Sequence, residues 1–296
     1  MNNSLLRTYL AVLSCGSFSA AATSLGISQP AVTMQIQNLE EEVGHPLLDR
    51  KYRRLTLTEA GQLLKDYAVR ALGEEQGILA ELASLSGEIG GELVVACSTT
   101  PGNYLIPGLL GGFLRQYPQI EPRLMVTSSQ EVACAVDACE ADLGILGARI
   151  RGHRIDYTIC GHDELLLIAP PTLTTQGMGE LALADLSGYP WIQRNSKSGT
   201  QKAIEELMSA QHLAPDDLNV LIELDNPEAI IGAVEGGLGI AIVSRCAAEK
   251  ALWLGTVAEL PVQSRPWNRE LYLARPHKAP TRAADAFATY LLEHPL

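Results

Sequence analysis

The stretch Ser28-Gln29-Pro30-Ala31-Val32-Thr33-Met34-Gln35-Ile36-Gln37-Asn38-Leu39-Glu40 has the pattern of a helix that buries one face and offers amides on the other. Ser28 supplies an N-cap oxygen, and Pro30 falls in the first turn, where a missing N–H costs nothing. Val32, Ile36 and Leu39 recur at helical spacing and form one apolar stripe. That spacing leaves Gln29, Thr33, Gln35 and Gln37 to face outward. Amide and hydroxyl side chains there suit hydrogen bonding to base edges in a major groove. Taken alone, such a segment is usually an ordinary amphipathic surface helix, so its neighbours decide.

Upstream, Leu6, Tyr9, Leu10 and Leu13 give a first amphipathic helix closed by Gly16. Ser17 caps a short Ala-rich helix from Phe18 to Leu25, and Gly26 ends it before Ser28 opens the next. Short helices joined by tight turns are the skeleton of a helix-turn-helix domain. Downstream, Gly44 ends the third helix, and Leu47 to Thr58 reads as strand, basic turn and strand. This is a wing, with Arg50, Lys51, Arg53 and Arg54 at its tip, where phosphates would lie.

The first sixty or so residues resemble the winged helix-turn-helix of LysR-type transcriptional regulators. The matching positions are Gly16-Ser17-Phe18-Ser19, Ala21-Ala22, Leu25, Ser28 to Val32, Ile36, Leu39-Glu40, Gly44, Leu47, Arg50 and Leu57 to Gly61. Thr33, Val43 and Leu48 are mild departures from that pattern, and Gln37 stands where relatives often carry a basic residue. The resemblance implies a sequence-specific regulator that binds double-stranded DNA and is not an enzyme. The fold it implies is a multi-domain α+β chain: residues 1–61 the winged helix-turn-helix, 62–90 a dimerisation helix and hinge, then a two-lobed α/β effector domain like periplasmic binding proteins. Residues 91–163 with 266–296 would form one lobe and 164–265 the other.

A chain of 296 residues suits two or three compact units. Its net charge of −12 runs against DNA binding, but residues 1–61 hold five Lys/Arg and five Asp/Glu, so the acidic excess lies elsewhere. A local basic patch can still attract phosphate. No apolar run is long enough for a membrane span, and the N-terminus reads as a folding helix without a cleavable signal, so a cytoplasmic location is expected. The six cysteines form no C-x-x-C pair and no zinc spacing. No metal site, cofactor or catalytic constellation is expected. Gly236-Gly237-Leu238-Gly239 follows a helix and precedes a strand, the wrong order for a dinucleotide turn.

From Thr58 a long helical pattern runs to about Ser86. Leu64, Ala68, Ala71, Glu75, Ile78, Leu82 and Leu85 step by four and three, a heptad seam broken at Glu75. Pairing of Leu64, Ile78, Leu82 and Leu85 with a second chain is expected, giving a homodimer and, by the resemblance, a homotetramer.

From Glu92 strands and helices alternate, as in α/β sheets. Ligands of such sheets bind beyond the carboxyl ends of strands, at helix N-termini. Three hydroxyl-bearing stretches fall there: Ser98-Thr99-Thr100-Pro101-Gly102, Thr127-Ser128-Ser129, and Arg194-Asn195-Ser196-Lys197-Ser198-Gly199-Thr200. Each alone suits plain N-capping, whereas all three around one cleft suit a small anion. His162, just before the crossover between lobes, is placed to add a donor. In relatives that bind inorganic sulfur anions, hydroxyls matching Ser98, Thr100 and Thr200 contact the ligand, and Ser98 to Pro107 resembles the branch tied to sulfur and selenium assimilation. The expected effector is a small anion, an inorganic sulfur or selenium oxyanion or else an organic carboxylate. The alternative is a thiol switch on the same scaffold, which the five-residue spacing of Cys134 and Cys139 disfavours.

Overall fold

The computed structural model describes residues 2–49, 55–83, 89–173, 180–196, 198–214, 217–263, 265–277 and 279–296. The chain forms two compact units, Met1–Leu85 with Ala138–Glu140, and Ser86–Asp137 with Ala141–Leu296.

The first unit is built on local capping chemistry. Helices α1 (Asn3–Cys15), α2 (Phe18–Leu25) and α3 (Gln29–Val43) each start with a side-chain oxygen, of Asn2, Ser17 and Ser28, accepting from a first-turn N–H. Gly16 and Gly44 end α1 and α3 at φ +66° and +76°, a conformation glycine adopts without Cβ strain. Strands β1 (Leu48–Asp49) and β2 (Thr56–Leu57) pair antiparallel, and α4 (Glu59–Ala83) follows. Leu6, Tyr9, Val12, Ala21, Val32, Ile36, Leu39 and Leu47 make one core, to which α4 adds Leu64 and Ala68. The buried Tyr9 hydroxyl donates to the Gly61 carbonyl at 2.8 Å, fixing the start of α4 against α1. Burial of each large aliphatic chain contributes about 1.5–3 kcal/mol.

The second unit carries two lobes. In chain order come β3 (Gly90–Ser98), a π-helical turn at Pro101–Leu105, α5 (Ile106–Gln116), β4 (Gln119–Thr127), α6 (Ser129–Asp137), β5 (Leu143–Leu146) and β6 (Ile155–Ala169). Then follow β7 (Trp191–Arg194), α7 (Gly199–Ala210), β8 (Val220–Leu224), α8 (Pro227–Glu235), β9 (Ala241–Ser244) and α9 (Arg245–Leu254). β10 (Ala258–Glu259), β11 (Trp267–Pro276) and α10 (Arg282–Glu293) complete it.

The large sheet has the order β10-β6-β11-β5-β3-β4, with β9 also on β6. β3 runs parallel to β4 and β5, whereas β11 is antiparallel to β5 and β6. β6 pairs with β11 over Ile155–Leu165 and with β9 over Leu165–Ile168, so one continuous strand serves both lobes. One core holds Leu93, Phe113, Ile145, Leu271 and Phe287, and the other Leu167, Trp191, Ile204 and Ile242. β6 and β11 connect them.

The local sequence pattern gives a strand over Glu164–Ala169 and no helix over 245–254, and the structure differs at both. β6 begins at Ile155, because pairing with β11 draws the polar run Asp156–Asp163 into the sheet. Residues 245–254 form α9, whose Ala247, Ala248 and Ala251 are buried against the second lobe.

Candidate functional site

On α3, Gln29 and Gln37 are exposed, as groove readout requires, and Met34 is 57% exposed beside them. Ser28 serves as the cap and Pro30 lies in the first turn. The Thr33 hydroxyl donates back to the Gln29 carbonyl at 3.1 Å, while the Gln29 side-chain oxygen accepts from Ser19 at 3.1 Å. Gln35 departs from the expected outward set. It is half-buried, and its amide oxygen accepts from the Thr8 hydroxyl, since its position turns it toward α1. The exposure of Met34 was not legible because apolar residues on a helix read first as core. Arg50, Lys51, Arg53 and Arg54 lie outside the described residues, but β1 and β2 form the paired arms of a wing on either side of them.

The expected dimer seam divides. Leu64 is 7% exposed and Ala68 fully buried in the core of their own unit, so Leu64 is not available to a second chain. The reason is that α1 occupies that face of α4, also pairing Arg7 with Glu75 at 2.9 Å. Ile78 and Leu82, four apart, are 59% and 57% exposed, whereas Leu85 lies outside the described residues. The free apolar surface of α4 also includes Leu63 and Tyr67.

Between the lobes the hydroxyl clusters meet. The Thr100 and Thr200 hydroxyls lie 3.5 Å apart, both buried, and Gly199 approaches Ser129 so closely that a Cβ would stand 2.5 Å from the serine Oγ. Capping, the competing role, takes only some of them. Ser198 caps α7 by accepting from Gln201 N, and Ser128 accepts from Glu131 N. Thr100 makes no cap bond, and Ser129 Oγ, in a residue 1% exposed, has no partner among the described residues. Ser98 is buried at the end of β3, and Thr99 accepts from Arg194 Nη2 at 3.4 Å.

Arg194 is the feature that hydroxyl counting missed. It is 6% exposed, its Nε has no partner among the described residues, and burial together with repulsion from Arg269 pushes its guanidinium below the usual arginine range. Arg269, 8% exposed, donates from Nε and Nη2 to Asp163 at 2.8 and 2.6 Å, and from Nη1 to Thr200 at 2.9 Å. Asp163 also accepts from Ser244 at 2.6 Å. The two crossing strands are thus pinned to each other and to the first turn of α7. A signal existed: Arg269 shares strand parity with Leu271 and Leu273, and Arg194 with Ile192, so both charges fall on buried faces. The same parity corrects His162. It alternates with the buried Asp163, its side chain is exposed, and its backbone N–H donates to Leu296 O. At the rim, Tyr104 and Asn103 of the first lobe donate to Glu228 of the second at 2.8 and 3.1 Å.

The thiols give little chemistry. Cys97 and Cys160 are buried in the first core, where desolvation pushes both thiols up, that of Cys160 to about 12. Protonated thiols are poor nucleophiles. Cys139, at φ +57°, follows the end of α6, which carries the exposed Cys134. No group of metal ligands occurs among the described residues, and no helix among them is long and apolar enough to cross a membrane.

Residues 4–62 match the model of the bacterial regulatory helix-turn-helix protein, lysR family, and residues 86–295 match the LysR substrate binding domain. A probable RuBisCO transcriptional regulator of Cyanidioschyzon merolae is 36% identical over 291 residues, covering 97% of this chain and 96% of that one. Among solved structures, the regulatory domain of CcmR from Synechocystis PCC6803 in complex with 2-PG is 28% identical. It covers 69% of this chain and 97% of that one, with a TM-score of 0.63. Full-length CbnR complexed with its target DNA shares the fold over 99% of both chains, at 21% identity and a TM-score of 0.72. With both halves matched and a full-length relative at this identity, the chain belongs to the LysR family of transcriptional regulators.

Proposed function

We propose that this regulator binds double-stranded DNA as a homo-oligomer, through α3 and its wing, and that a small organic anion between its lobes sets its activity. Arg194 carries the ligand half of this reading. A buried cation with an unpartnered Nε is costly by itself. An oxyanion bonded by Arg194 and by the hydroxyls of Thr99, Thr100 and Ser129 would offset that cost. The 2-PG complex of CcmR supports an organic anion. The sulfur and selenium oxyanions suggested by Ser98 to Pro107 find no support in the names of the relatives, which are RuBisCO regulators, and are set aside. A thiol switch is likewise unsupported by the relatives, whose names point to RuBisCO regulation and a 2-PG ligand.

A ligand touching both lobes binds their closed arrangement more tightly and shifts the lobe equilibrium, and the Tyr104–Glu228 bond bridges the rim of the cleft. The reading is tested by selecting DNA sites from a random pool and then measuring their affinity with and without 2-PG. A preferred sequence whose affinity or footprint responds to 2-PG supports it. Binding without sequence preference, or without any response to 2-PG, contradicts it.

A further inference from the structure

Beside the cleft the second unit holds a cavity of about 1000 Å³ that the proposed ligand does not use. Its walls are the segment after β5, the start of β11 and the outer face of α7. Ser98, Thr100, Ser129 and Arg194 do not line it; Arg149, Arg151, Lys202 and Trp267 do.

The charge pattern there is unusual for this chain. The whole protein carries −12, and Arg245, Arg265, Arg269 and Arg275 of the same unit are all ion-paired. Among the described residues, by contrast, no ion pair involves Arg149, Arg151 or Lys202. Arg149 lies 4.7 Å over the Tyr272 ring, which orients its guanidinium plane. Glu270, a carboxylate of the same wall, accepts from the Tyr272 hydroxyl, while Glu206 is exposed on α7. A second observation comes from Trp267. It is 4% exposed, and its indole N–H has no partner among the described residues. Buried indole N–H groups normally find an acceptor.

We propose that this cavity is a second ligand site, one that takes an organic polyanion carrying two or more phosphate or carboxylate groups. Its volume lies at the upper end of small-molecule sites, and three cations from two elements meet the several charges of such a ligand. Arg269 forms part of its wall and also donates to Thr200, so the site shares one side chain with the cleft.

The test is calorimetric titration of the full chain with pyrophosphate and, separately, citrate, which distinguish phosphate from carboxylate preference. The expected result is that at least one binds wild type and Thr100→Val alike. The exposed double variant Arg149→Gln/Arg151→Gln should weaken it about tenfold or more, while leaving the affinity for 2-PG unchanged. Failure of both probes to bind overturns the proposal. So does an affinity that ignores the double variant or falls with Thr100→Val. Absence of 2-PG binding would instead count against the cleft reading, in a separate titration.

Discussion

The hydroxyls of Thr100 and Thr200 stand 3.5 Å apart although 100 residues separate them in the chain. One belongs to the turn after β3 and the other to the first turn of α7, so their meeting defines the closed cleft. Thr200 is held from behind by Arg269, while Thr100 is not spent on capping. Of the pair, the Thr100 hydroxyl has no further hydrogen bond among the described residues.

Thr100→Val keeps the shape of that side chain and deletes the donor. It should weaken 2-PG by about 1–2 kcal/mol while leaving the melting temperature nearly unchanged. DNA binding without ligand should survive. Calorimetry and a thermal melt on the same preparation check both parts.

Removing one partner of the Asp163–Arg269 pair should be far more damaging. Arg269→Met leaves a buried carboxylate uncompensated, at a cost of about 3–5 kcal/mol in urea unfolding. Adding Asp163→Asn removes the stranded charge and should recover part of the loss. A double variant no more stable than the single one would show that packing, rather than charge, holds the crossing strands.

The two halves of α4 should respond differently. Leu64→Ala removes a core side chain of the first unit and should destabilise it by about 2–5 kcal/mol without changing oligomeric state. Ile78→Glu/Leu82→Glu places charge on an exposed apolar face and should yield monomers in sedimentation. A double variant that stays dimeric at low micromolar concentration would move the interface off α4.

Acid should loosen the second lobe. Hydrogen bonds from Arg245 and Arg265 hold the Glu164 carboxyl below the usual carboxylate range, although burial opposes them. A depressed folded pKa gives stability that is fully present above the unfolded value, about 4.3, and lost as pH falls through the folded one. The gap in melting temperature between wild type and Glu164→Gln should be widest at neutral pH and close below about pH 4. A gap that is constant with pH would exclude this linkage.

The legible parts of the sequence were those governed by local chemistry. Ser17, Ser28, Gly16, Gly26 and Gly44 bracket helices wherever they occur in such a pattern, and α2 and α3 begin and end at these residues. α8 (Pro227–Glu235) likewise starts at a local signal, with Asn226 accepting from Ala229 N and Pro227 in its first turn. What was not legible depended on partners far along the chain. Ile155–Asp163 is strand because β11 lies beside it, and α9 is a helix whose short alanine face needs the lobe to bury it. Leu64 fits a heptad as well as a core, and only the position of α1 decides between them. At the cleft the hydroxyls announced themselves by sitting after strands. Arg194 and Arg269 were hidden because strand parity, which marks them, requires the strand boundaries first.

On the proposed function, the buried guanidinium of Arg194 receives an anion between the lobes, which calorimetric titration of 2-PG into wild type and Arg194→Gln would reveal. Wild type should bind, and the variant should lose about 1.5–3 kcal/mol, the range for hydrogen bonds to a charged group, with the fold intact by circular dichroism. Equal affinity in the two proteins, with both folded, would contradict it.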